Sequence, residues 1–248
     1  MIRIPTLSFC ITCKDRFQQI SKTLKRNLDD NRLHRDLIEF ILVDFGSKDE
    51  LREWIISNFI DDLKSGYLNY YYTEEQSCWY APICKNTSHF CAGNDIVVNL
   101  DCDNYVGFLG GQFVIRHFIE NQNIVFHQFK GDIYDGTYGR ISLLKEYFEL
   151  IGGYDESFEP LGNEDVDLIS RLKAIGLIYE KSSDERFCEA IKNPRPVGFE
   201  MMDEINSIKS NTNINEGRII ANNRLYGIRN NLFDYKGHLF QKTTKARQ

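Results

Sequence analysis

Short apolar runs alternate with amphipathic stretches along the first hundred residues of the chain. Each run has the length of a strand and ends in polar or turn-forming residues, which is the pattern of buried parallel strands. The runs predict strands at Leu7–Thr12, Ile38–Val43, Tyr67–Tyr72 and Ile96–Leu100. Between them, apolar residues at helical spacing predict one helix from Arg16 to Leu28 and another after Asp49. This alternation predicts an α/β fold with a mostly parallel central sheet flanked by helices.

The second half of the chain has shorter and less regular segments. A helix, two strands and a second helix are predicted, in that order, at Phe108–Ile119, Ile124–Phe129, Ile133–Tyr134 and Leu143–Leu150. The second helix is expected to stop at Gly152-Gly153. Because no repeat or low-complexity linker interrupts the pattern, residues 1–248 are expected to form one domain.

Polar residues at the predicted helix starts are expected to act as caps. Asp15 precedes the helix that begins at Arg16, and Asp49 precedes the next helix. Gly162 or Asn163 begins the last predicted helix. The residues on the buried side of that helix are expected to be Val166, Leu168, Ile169 and Leu172.

Composition and charge exclude several classes of protein. The net charge of −6 and a pI near 5.5 argue against a general nucleic-acid binder. No apolar stretch approaches the roughly 18 residues of a membrane span, and no secretory signal is recognisable at the N-terminus. The seven cysteines are scattered, which favours reduced thiols and a cytoplasmic location. The Cys10–Cys13 pair has no second pair at a zinc-binding spacing.

The C-terminal segment is basic, in contrast to the chain as a whole. From Thr212 to Gln248 there are only two acidic residues, Glu216 and Asp234. Against these stand seven cations: Arg218, Arg224, Arg229, Lys236, Lys242, Lys245 and Arg247. Such a segment is suited to a diphosphate, an anionic acceptor or an anionic membrane surface, and it is equally typical of a solvated terminus.

Acidic residues follow two of the predicted strands. In parallel sheets ligands bind beyond the carboxyl ends of the strands, where Asp44 and Asp101 are both expected. Asp101 and Asp103 are two residues apart, so in extended structure their carboxylates project to one side. Two such charges repel unless a cation lies between them, and Mg²⁺ or Mn²⁺ suits hard oxygen ligands of this kind. The alternative is a polar turn after a strand. A calcium loop of the EF-hand type is disfavoured because its twelfth position, which should be Glu, is Gln112.

A second acidic pair, Glu164-Asp165, opens the last predicted helix. A carboxylate there is stabilised by free backbone N–H groups and the helix dipole, so Asp165 is expected to be ionised and able to accept a proton from a hydroxyl. Simple helix capping explains the same residues without chemistry.

Two blocks of the sequence resemble glycosyltransferase family 2 and the related β-1,4-galactosyltransferases. Residues 43–49 read Val-Asp-Phe-Gly-Ser-Lys-Asp, similar to the V-D-D-G-S-x-D of family 2, and are followed by Lys85-Asn86 and by 98–103, similar to F-L-D-x-D. Residues 148–158 and 161–171 resemble F-x-x-I-G-G-F-D-E-x-F and G-x-E-D-x-D-L with a later Arg. The resemblance covers about 170 residues and implies a GT-A fold.

The resemblance also implies a role for each matching residue. Asp44 is expected to recognise uracil, and Thr12, Lys85 and Asn86 to line the donor site. Asp101 is expected to contact the ribose and, with Asp103, to hold Mn²⁺ or Mg²⁺ on the diphosphate. Glu164 is expected to touch the acceptor, and Asp165 to deprotonate it. Residues 1–106 are then the nucleotide-sugar half, 107–200 the acceptor and catalytic half, and 201–248 a basic extension.

The implied activity is transfer of a hexose or N-acetylhexosamine, with inversion, from a UDP-sugar to a glycan or lipid-linked glycan in polysaccharide biosynthesis. The chain departs from the family pattern at Phe45 and at Pro160-Leu161, where a Trp is common. It also lacks the metal-binding His of many relatives, and Asn193 falls near the place of that His. His238 is not identified as a ligand, and His127 is expected to be a packing residue. A sugar nucleotidyltransferase is disfavoured because residues 12–16 form no glycine-rich loop. A non-catalytic nucleotide- or glycan-binding module is the third interpretation.

Overall fold

A computed structural model describes residues 3–76, 79–132, 135–158, 160, 162–193, 219–221 and 227–241. Its helices are α1 Phe17–Asn31, α2 Leu51–Asn58, α3 Ile60–Ser65, α4 Ala81–Cys91, α5 Gly110–Glu120, α6 Lys145–Leu150 and α7 Glu164–Ala174. Its strands are β1 Leu7–Cys13, β2 Ile38–Asp44, β3 Leu68–Tyr72, β4 Ile96–Asp101, β5 Asn104–Tyr105, β6 Ile124–Gln128, β7 Ile141–Leu144, β8 Ile178–Ser182, β9 Glu189–Ala190 and β10 Phe233–Asp234. Short 3₁₀ helices lie at Arg32–His34 and Glu185–Phe187.

Eight of the described strands form one sheet, in the order β10-β3-β2-β1-β4-β7-β6-β8. β1 pairs in parallel with both β2 and β4, and β2 pairs in parallel with β3. β7 and β10 run against their neighbours, whereas β8 pairs in parallel with β6. The predicted mostly parallel sheet is therefore confirmed. β5 and β9 form a separate antiparallel pair.

Helices cover both faces of the sheet, because successive side chains of a strand point to opposite faces. On one face, Phe9 and Phe40 belong to the apolar core that α1, α2, α3 and α5 close. On the other face, Cys10 and Ile41 belong to a second core, closed by α4, α6 and α7. Burial on both faces explains why the central strands read as continuous apolar runs. Among the described residues, no helix combines the length and apolar character needed to cross a bilayer.

Two elements at the centre of the fold differ from the predictions. Residues 141–144 form β7, whereas the sequence predicted a helix from Leu143; this short strand is buried along its whole length and therefore lacks alternation. α4 was not predicted at all. Nine of its eleven residues are buried, so it has no polar face to produce a helical period.

The start of α1 is capped differently from the prediction. Asp15 does not cap it; its Oδ1 accepts a hydrogen bond from the N–H of Lys48, 2.8 Å away. Asp49 caps it instead, because its Oδ2 accepts from the N–H of Phe17 at 3.0 Å, while its Oδ1 accepts from Leu51 of α2. One aspartate thus caps two helices, which local sequence does not reveal.

The last predicted helix is confirmed as α7, with Asn163 as the residue before it. Leu168, Ile169 and Leu172 are buried as expected, but Val166 is 46% exposed and lies on the outer side. The predicted stop at Gly152-Gly153 is confirmed, since both glycines have positive φ. The predicted strand at Ile133–Tyr134 lies outside the described residues, as do Arg218, Arg224, Lys242, Lys245 and Arg247 of the basic segment.

Candidate active site

The carboxyl ends of β1, β2 and β4 meet at one edge of the sheet. The register aligns Thr12 of β1 with Asp101 of β4, and Cys13 with Asp44 of β2. Three segments that the sequence placed at this edge are therefore neighbours, as expected for parallel strands. The neighbouring Cys102 raises the pKa of the Cys13 thiol, so residues 101–103, the acidic segment, lie close to the end of β1.

The carboxylates of Asp101 and Asp103 differ in their surroundings. Asp101 Oδ1 receives a long hydrogen bond of 3.3 Å from Asn99, and its Oδ2 has no hydrogen-bond partner among the described residues. Asp103 is held by two amides: Asn104 Nδ2 donates to Oδ1 at 2.8 Å, and Asn193 Nδ2 donates to Oδ2. Asp103 is thus fixed in place, whereas Asp101 retains an oxygen for a ligand.

Gly139 lies between the two predicted acidic sites. A Cβ atom on this residue would be 3.0 Å from Asp101 Oδ2 and 3.4 Å from Asp165 Oδ2. The distance to Asp101 is shorter than carbon and oxygen normally approach. The Gly139 carbonyl also accepts a hydrogen bond of 2.9 Å from Asn99 Nδ2. The bare backbone of Gly139 therefore allows the end of β4 and the start of α7 to face one common space.

Lys85 of α4 forms ion pairs with both acidic residues at the start of α7. Its Nζ lies 2.9 Å from Glu164 Oε1 and 2.8 Å from Asp165 Oδ1. The Lys85 side chain is only 4% exposed, and the side chains of Glu164 and Asp165 are 6% and 14% exposed. The Nζ also lies 5.0 Å from the ring centre of Tyr154. The partner of the Asp165 carboxylate is thus a lysine of a different helix, not a backbone N–H as in helix capping.

Burial dominates the electrostatics of this cluster. Removal from water raises the pKa of Asp165 to about 7, although the Lys85 charge acts in the opposite direction. Burial also raises the pKa of Asp101, and the neighbouring Asp103 raises it further against the effect of Lys85. Lys85 and Arg140 set two positive charges against the four carboxylates of Asp101, Asp103, Glu164 and Asp165, so full ionisation leaves two negative charges and favours an additional cation.

Two residues of the predicted donor site, Asp44 and Thr12, are buried in this structure. Asp44 is fully buried; its Oδ1 accepts from the N–H of Ser47 and its Oδ2 from the Tyr70 hydroxyl at 2.7 Å. Asp44 therefore holds the turn at Gly46, which has positive φ; its recognition of uracil stays a prediction. Thr12, at 6% exposure, lies beside it at the end of β1.

Asn86 is also fully buried, and its side chain bonds to the loop after α6. Its Nδ2 donates to the Tyr154 carbonyl and to Glu156 Oε1, both at 2.8 Å, and its Oδ1 accepts from the Tyr154 N–H at 2.9 Å. Asn86 thereby fastens the loop after α6 to α4. Because Lys85 is the adjacent residue, this link helps set the position of α4 against α7.

α7 is anchored by a further buried ion pair. Both Nε and Nη2 of Arg171 donate to Asp167 Oδ2, at 2.8 and 2.6 Å, and Nη1 donates to the Ile151 carbonyl at 3.1 Å. Asp167 therefore stabilises the helix, which distinguishes it from Asp165 two residues earlier. This contact gives a structural role to Arg171, the Arg that follows G-x-E-D-x-D-L in the family pattern.

Asp101 and Asp103 offer the oxygen ligands that a divalent cation of the Mg²⁺ or Mn²⁺ type requires. The described residues contain no group of three or more His, Cys, Asp or Glu side chains arranged for a metal ion. Substrate phosphates and water commonly complete the shell of such cations. The unpartnered Asp101 oxygen and the acidic surroundings fit a cation of this type.

Neither of the two histidines considered in the sequence is bonded to Asp101, Asp103, Glu164 or Asp165. His127 is fully buried and bonded to Tyr138 and Tyr179, which agrees with a packing role. His238 lies 3.4 Å from Asp234 in the β10 turn. Asn193, in contrast, lies at the site through its bond to Asp103, although it was singled out only because it falls near the place of a missing His.

Sequence reasoning missed Gly139 and its neighbour Arg140. The Arg140 guanidinium is buried and donates to Asn104 Oδ1 at 2.7 Å and to the Phe187 carbonyl. Since Asn104 in turn holds Asp103, Arg140 links the Gly139 segment to the acidic segment. The glycines at 136 and 139 indicate a turn, but nothing local indicates which residues that turn contacts.

Comparison with known proteins supports the fold. The chain is similar to a mannosyltransferase from Pyrobaculum calidifontis, solved with GDP-Man and Mn²⁺, at a TM-score of 0.62 and 16% identity over 77% of this chain. It is also similar to S. aureus TarS residues 1–349, at a TM-score of 0.59 and 14% identity over 75% of this chain. It covers 58% and 60% of those chains, and 37% of a longer TarS structure. No family model and no curated protein matches the sequence. The fold is therefore one that a known glycosyltransferase also has.

Proposed function

We propose that the protein is a metal-dependent glycosyltransferase that moves a hexose or N-acetylhexosamine from a nucleotide diphosphate sugar to an acceptor hydroxyl. The observation that carries the proposal is that both carboxylates lie close to Gly139: a Cβ atom there would be 3.0 Å from Asp101 Oδ2 and 3.4 Å from Asp165 Oδ2. Asp101 offers a ligand for a cation and a diphosphate, and Asp165 offers a proton acceptor. A glycosyl transfer needs both within the span of one sugar.

On the donor side, Asp101 and Asp103 would hold Mn²⁺ or Mg²⁺ with the diphosphate. The bound metal would supply stabilisation of the negative charge that develops on the departing nucleotide. Asn104 and Asn193 keep the Asp103 carboxylate oriented for this task. Thr12 borders the same edge, and the turn held by Asp44 gives the base pocket its shape.

On the acceptor side, Asp165 would take the proton from the attacking hydroxyl. A pKa near 7 suits a general base at neutral pH, because the group is ionised yet still holds a proton well. Glu164, already bonded to Lys85, would orient the acceptor or the lysine. Attack from the side opposite the diphosphate gives inversion at the anomeric carbon.

The donor is proposed to be a UDP-sugar, on the resemblance of residues 43–49 and 98–103 to family 2 patterns. GDP is the alternative base, because the similar mannosyltransferase was solved with GDP-Man. The acceptor is proposed to be a glycan or a lipid-linked glycan. A cytoplasmic setting is proposed from the six free cysteines among the described residues, with membrane contact through the basic C-terminal segment.

Thermal unfolding with nucleotide sugars tests the proposal. UDP-sugars or GDP-mannose should raise the unfolding midpoint when Mn²⁺ is present and have little effect without it. Asp103→Asn should remove this metal-dependent shift, whereas Asp184→Asn, on the exposed pair with Arg186, should retain it. Absence of any metal-dependent shift across the panel contradicts the proposal.

A non-catalytic nucleotide- or glycan-binding module is the second candidate. The ion pairs of Lys85 with both Glu164 and Asp165 favour it, because a carboxylate held by a lysine is a weaker base. The two candidates differ in turnover. A binding module is stabilised by a nucleotide sugar but releases no nucleotide from it.

A further inference from the structure

Residues 227–241, which we call the clasp, contact α4 before they reach the sheet. The strand of the clasp, β10, pairs in antiparallel fashion with β3. Leu232 is fully buried in the same apolar core as Cys84 of α4. At the start of the clasp, Gly227 lies against Thr87, two residues after Lys85. The reaction proposed above gives the clasp no role.

The fit between Gly227 and α4 leaves no room for a side chain. Gly227 is buried and has a φ of +68°, and a Cβ atom on it would be 2.7 Å from Thr87 N and 2.9 Å from Thr87 Cα. These are backbone atoms of a helix, which cannot turn aside as a flexible side chain can. The N–H of the next residue, Ile228, donates to Thr87 Oγ1 at 2.8 Å. The clasp is therefore seated on the backbone of α4.

Glu156 joins the clasp to the residue beside Lys85. Its Oε1 accepts a hydrogen bond from the N–H of Gly227 and another, at 2.8 Å, from Asn86 Nδ2. Burial raises the pKa of Glu156, whereas these two hydrogen bonds lower it because they favour the ionised carboxyl. One carboxylate thus connects three segments: the loop after α6, the middle of α4 and the clasp.

A short series of contacts leads from this carboxylate to the candidate base. Asn86 follows Lys85 directly, and Lys85 Nζ lies 2.8 Å from Asp165 Oδ1 and 2.9 Å from Glu164 Oε1. If α4 moved away from α7 by about 1 Å, both distances would exceed the range of a hydrogen bond. The position of α4 therefore decides whether the lysine reaches Asp165.

We propose that Glu156 is a positioning residue, which with the clasp holds α4 so that Lys85 stays paired with Asp165. The proposal rests on the proposed function, in which Asp165 is the base. Stabilisation of the fold as a whole is the alternative role for the same contacts. The two differ because a positioning role predicts local release of Lys85, whereas the alternative predicts that half-buried lysines become accessible together.

Amine acetylation followed by mass spectrometry of each lysine tests the position of Lys85 without turnover. The reagent is N-hydroxysuccinimidyl acetate, added to the full chain without metal or donor. Lys14 is the internal reference, because it is half-buried and donates to the Phe45 carbonyl at 2.7 Å, outside α4. In Gly227→Ala the acetylation rate of Lys85 relative to Lys14 should rise about tenfold, the size of one lost hydrogen bond to a charged group.

Gly237→Ala is the matched control within the clasp. Gly237 also has positive φ, at +83°, but its Cβ would meet no described atom within 4 Å. Both variants therefore place alanine in the left-handed region, and only Gly227→Ala presses on α4. Gly237→Ala should be acetylated at Lys85 as the wild type is. An equal rise in the two variants contradicts the role of the Gly227 contact.

Two variants of Glu156 test the carboxylate itself. Glu156→Ala removes the acceptor for Gly227 and Asn86, so it should also raise the relative acetylation of Lys85. Glu156→Gln keeps a side-chain oxygen at this position and should remain close to the wild type, which makes it the conservative rescue. Unchanged acetylation of Lys85 in both Gly227→Ala and Glu156→Ala overturns the proposal. A parallel rise at Lys85 and Lys14 also overturns it, because it shows loss of the fold as a whole.

Turnover separates this proposal from the proposed function. Gly227→Ala should lower kcat and leave stabilisation by UDP-sugar with Mn²⁺ unchanged, because Asp101 and Asp103 are not altered. If Lys85 is released in this variant but the wild type turns over no donor, the transferase proposal fails and the positioning of Lys85 is retained. If Lys85 is released and kcat equals that of the wild type, the proposed function is retained and the positioning role is wrong.

Discussion

Lys85 Nζ lies 2.8 Å from Asp165 Oδ1, although the two residues are 80 positions apart in the chain. The contact joins α4 to α7 and brings a cation into an otherwise acidic space. It also determines how Asp165 titrates, since the lysine lowers a pKa that burial raises.

Loss of the Lys85 charge should destabilise the fold strongly. Lys85→Met leaves Glu164 and Asp165 buried without a counter-charge, and breaking a buried pair in this way costs about 3–5 kcal/mol. Urea unfolding measures the change in the free energy of unfolding. The triple variant Lys85→Met, Glu164→Gln, Asp165→Asn should recover much of the loss, because no unpaired charge remains. A Lys85→Met variant as stable as the wild type contradicts the buried ion pair.

Asp165→Asn should abolish transfer and leave nucleotide binding intact. A positioned general base contributes about 10²–10⁴-fold to rate, so turnover should fall by at least about 10²-fold. Asp167→Asn on the same helix is the matched control, since Asp167 is paired with Arg171. That control should lower stability and affect turnover much less. Equal effects of the two variants on turnover would indicate that both act only through the helix.

Transfer should increase as pH rises through about 7. The base must be deprotonated, and the pKa of Asp165 in the free protein is raised to about 7. The pH profile of kcat/KM should therefore show an acidic limb near that value. In Lys85→Gln the limb should move to higher pH, because the lysine charge no longer favours the carboxylate. A limb near pH 4 contradicts the burial of Asp165.

The raised pKa of Asp165 makes stability fall as pH rises, whereas transfer activity should increase. The unfolded chain releases the Asp165 proton near pH 4, whereas the folded chain keeps it until about pH 7. The contribution of Asp165 to stability is thus lost as pH rises between these values. Asp165→Asn should flatten that part of the stability profile, which urea unfolding at several pH values measures.

Gly139→Ala should damage the site without straining the backbone. The φ of Gly139 is not in the left-handed region, so alanine fits the main chain. Its Cβ, however, would meet Asp101 Oδ2 at 3.0 Å and displace it. Misplacement of a reacting group by about 1 Å can cost about 10²-fold in rate. Gly93→Ala, whose Cβ would meet Glu39 at 3.3 Å, is the matched control; equal activity of the two variants contradicts the role of Gly139.

The regular part of the fold followed from the sequence because its strands and helices have clear periods. β1, β2, β3 and β4 coincide with the predicted strands to within a residue or two. α4 and β7 did not follow, since both are buried nearly throughout and show no polar face. Local patterns detect one-sided burial and are blind to elements that are enclosed on every side.

The site divides in the same way. The sheet edge placed Asp101 by topology alone, because the carboxyl ends of parallel strands meet. The positions of Gly139 and Lys85 depend on contacts across 40 and 79 or more residues, which no spacing rule encodes. Asp44 matched a sequence pattern, yet the structure buries it against Tyr70. A pattern match gives the residue but not the direction in which its side chain points.

Nucleotide release from a panel of UDP- and GDP-sugars, with and without Mn²⁺, tests the central claim most directly. At least one donor should be hydrolysed or transferred in a metal-dependent manner by the wild type. Asp101→Asn should lose both this turnover and donor stabilisation, whereas Asp165→Asn should lose turnover and keep donor stabilisation. Turnover that persists in both variants, or a panel with no metal-dependent release at all, would contradict a transfer site built from these two carboxylates.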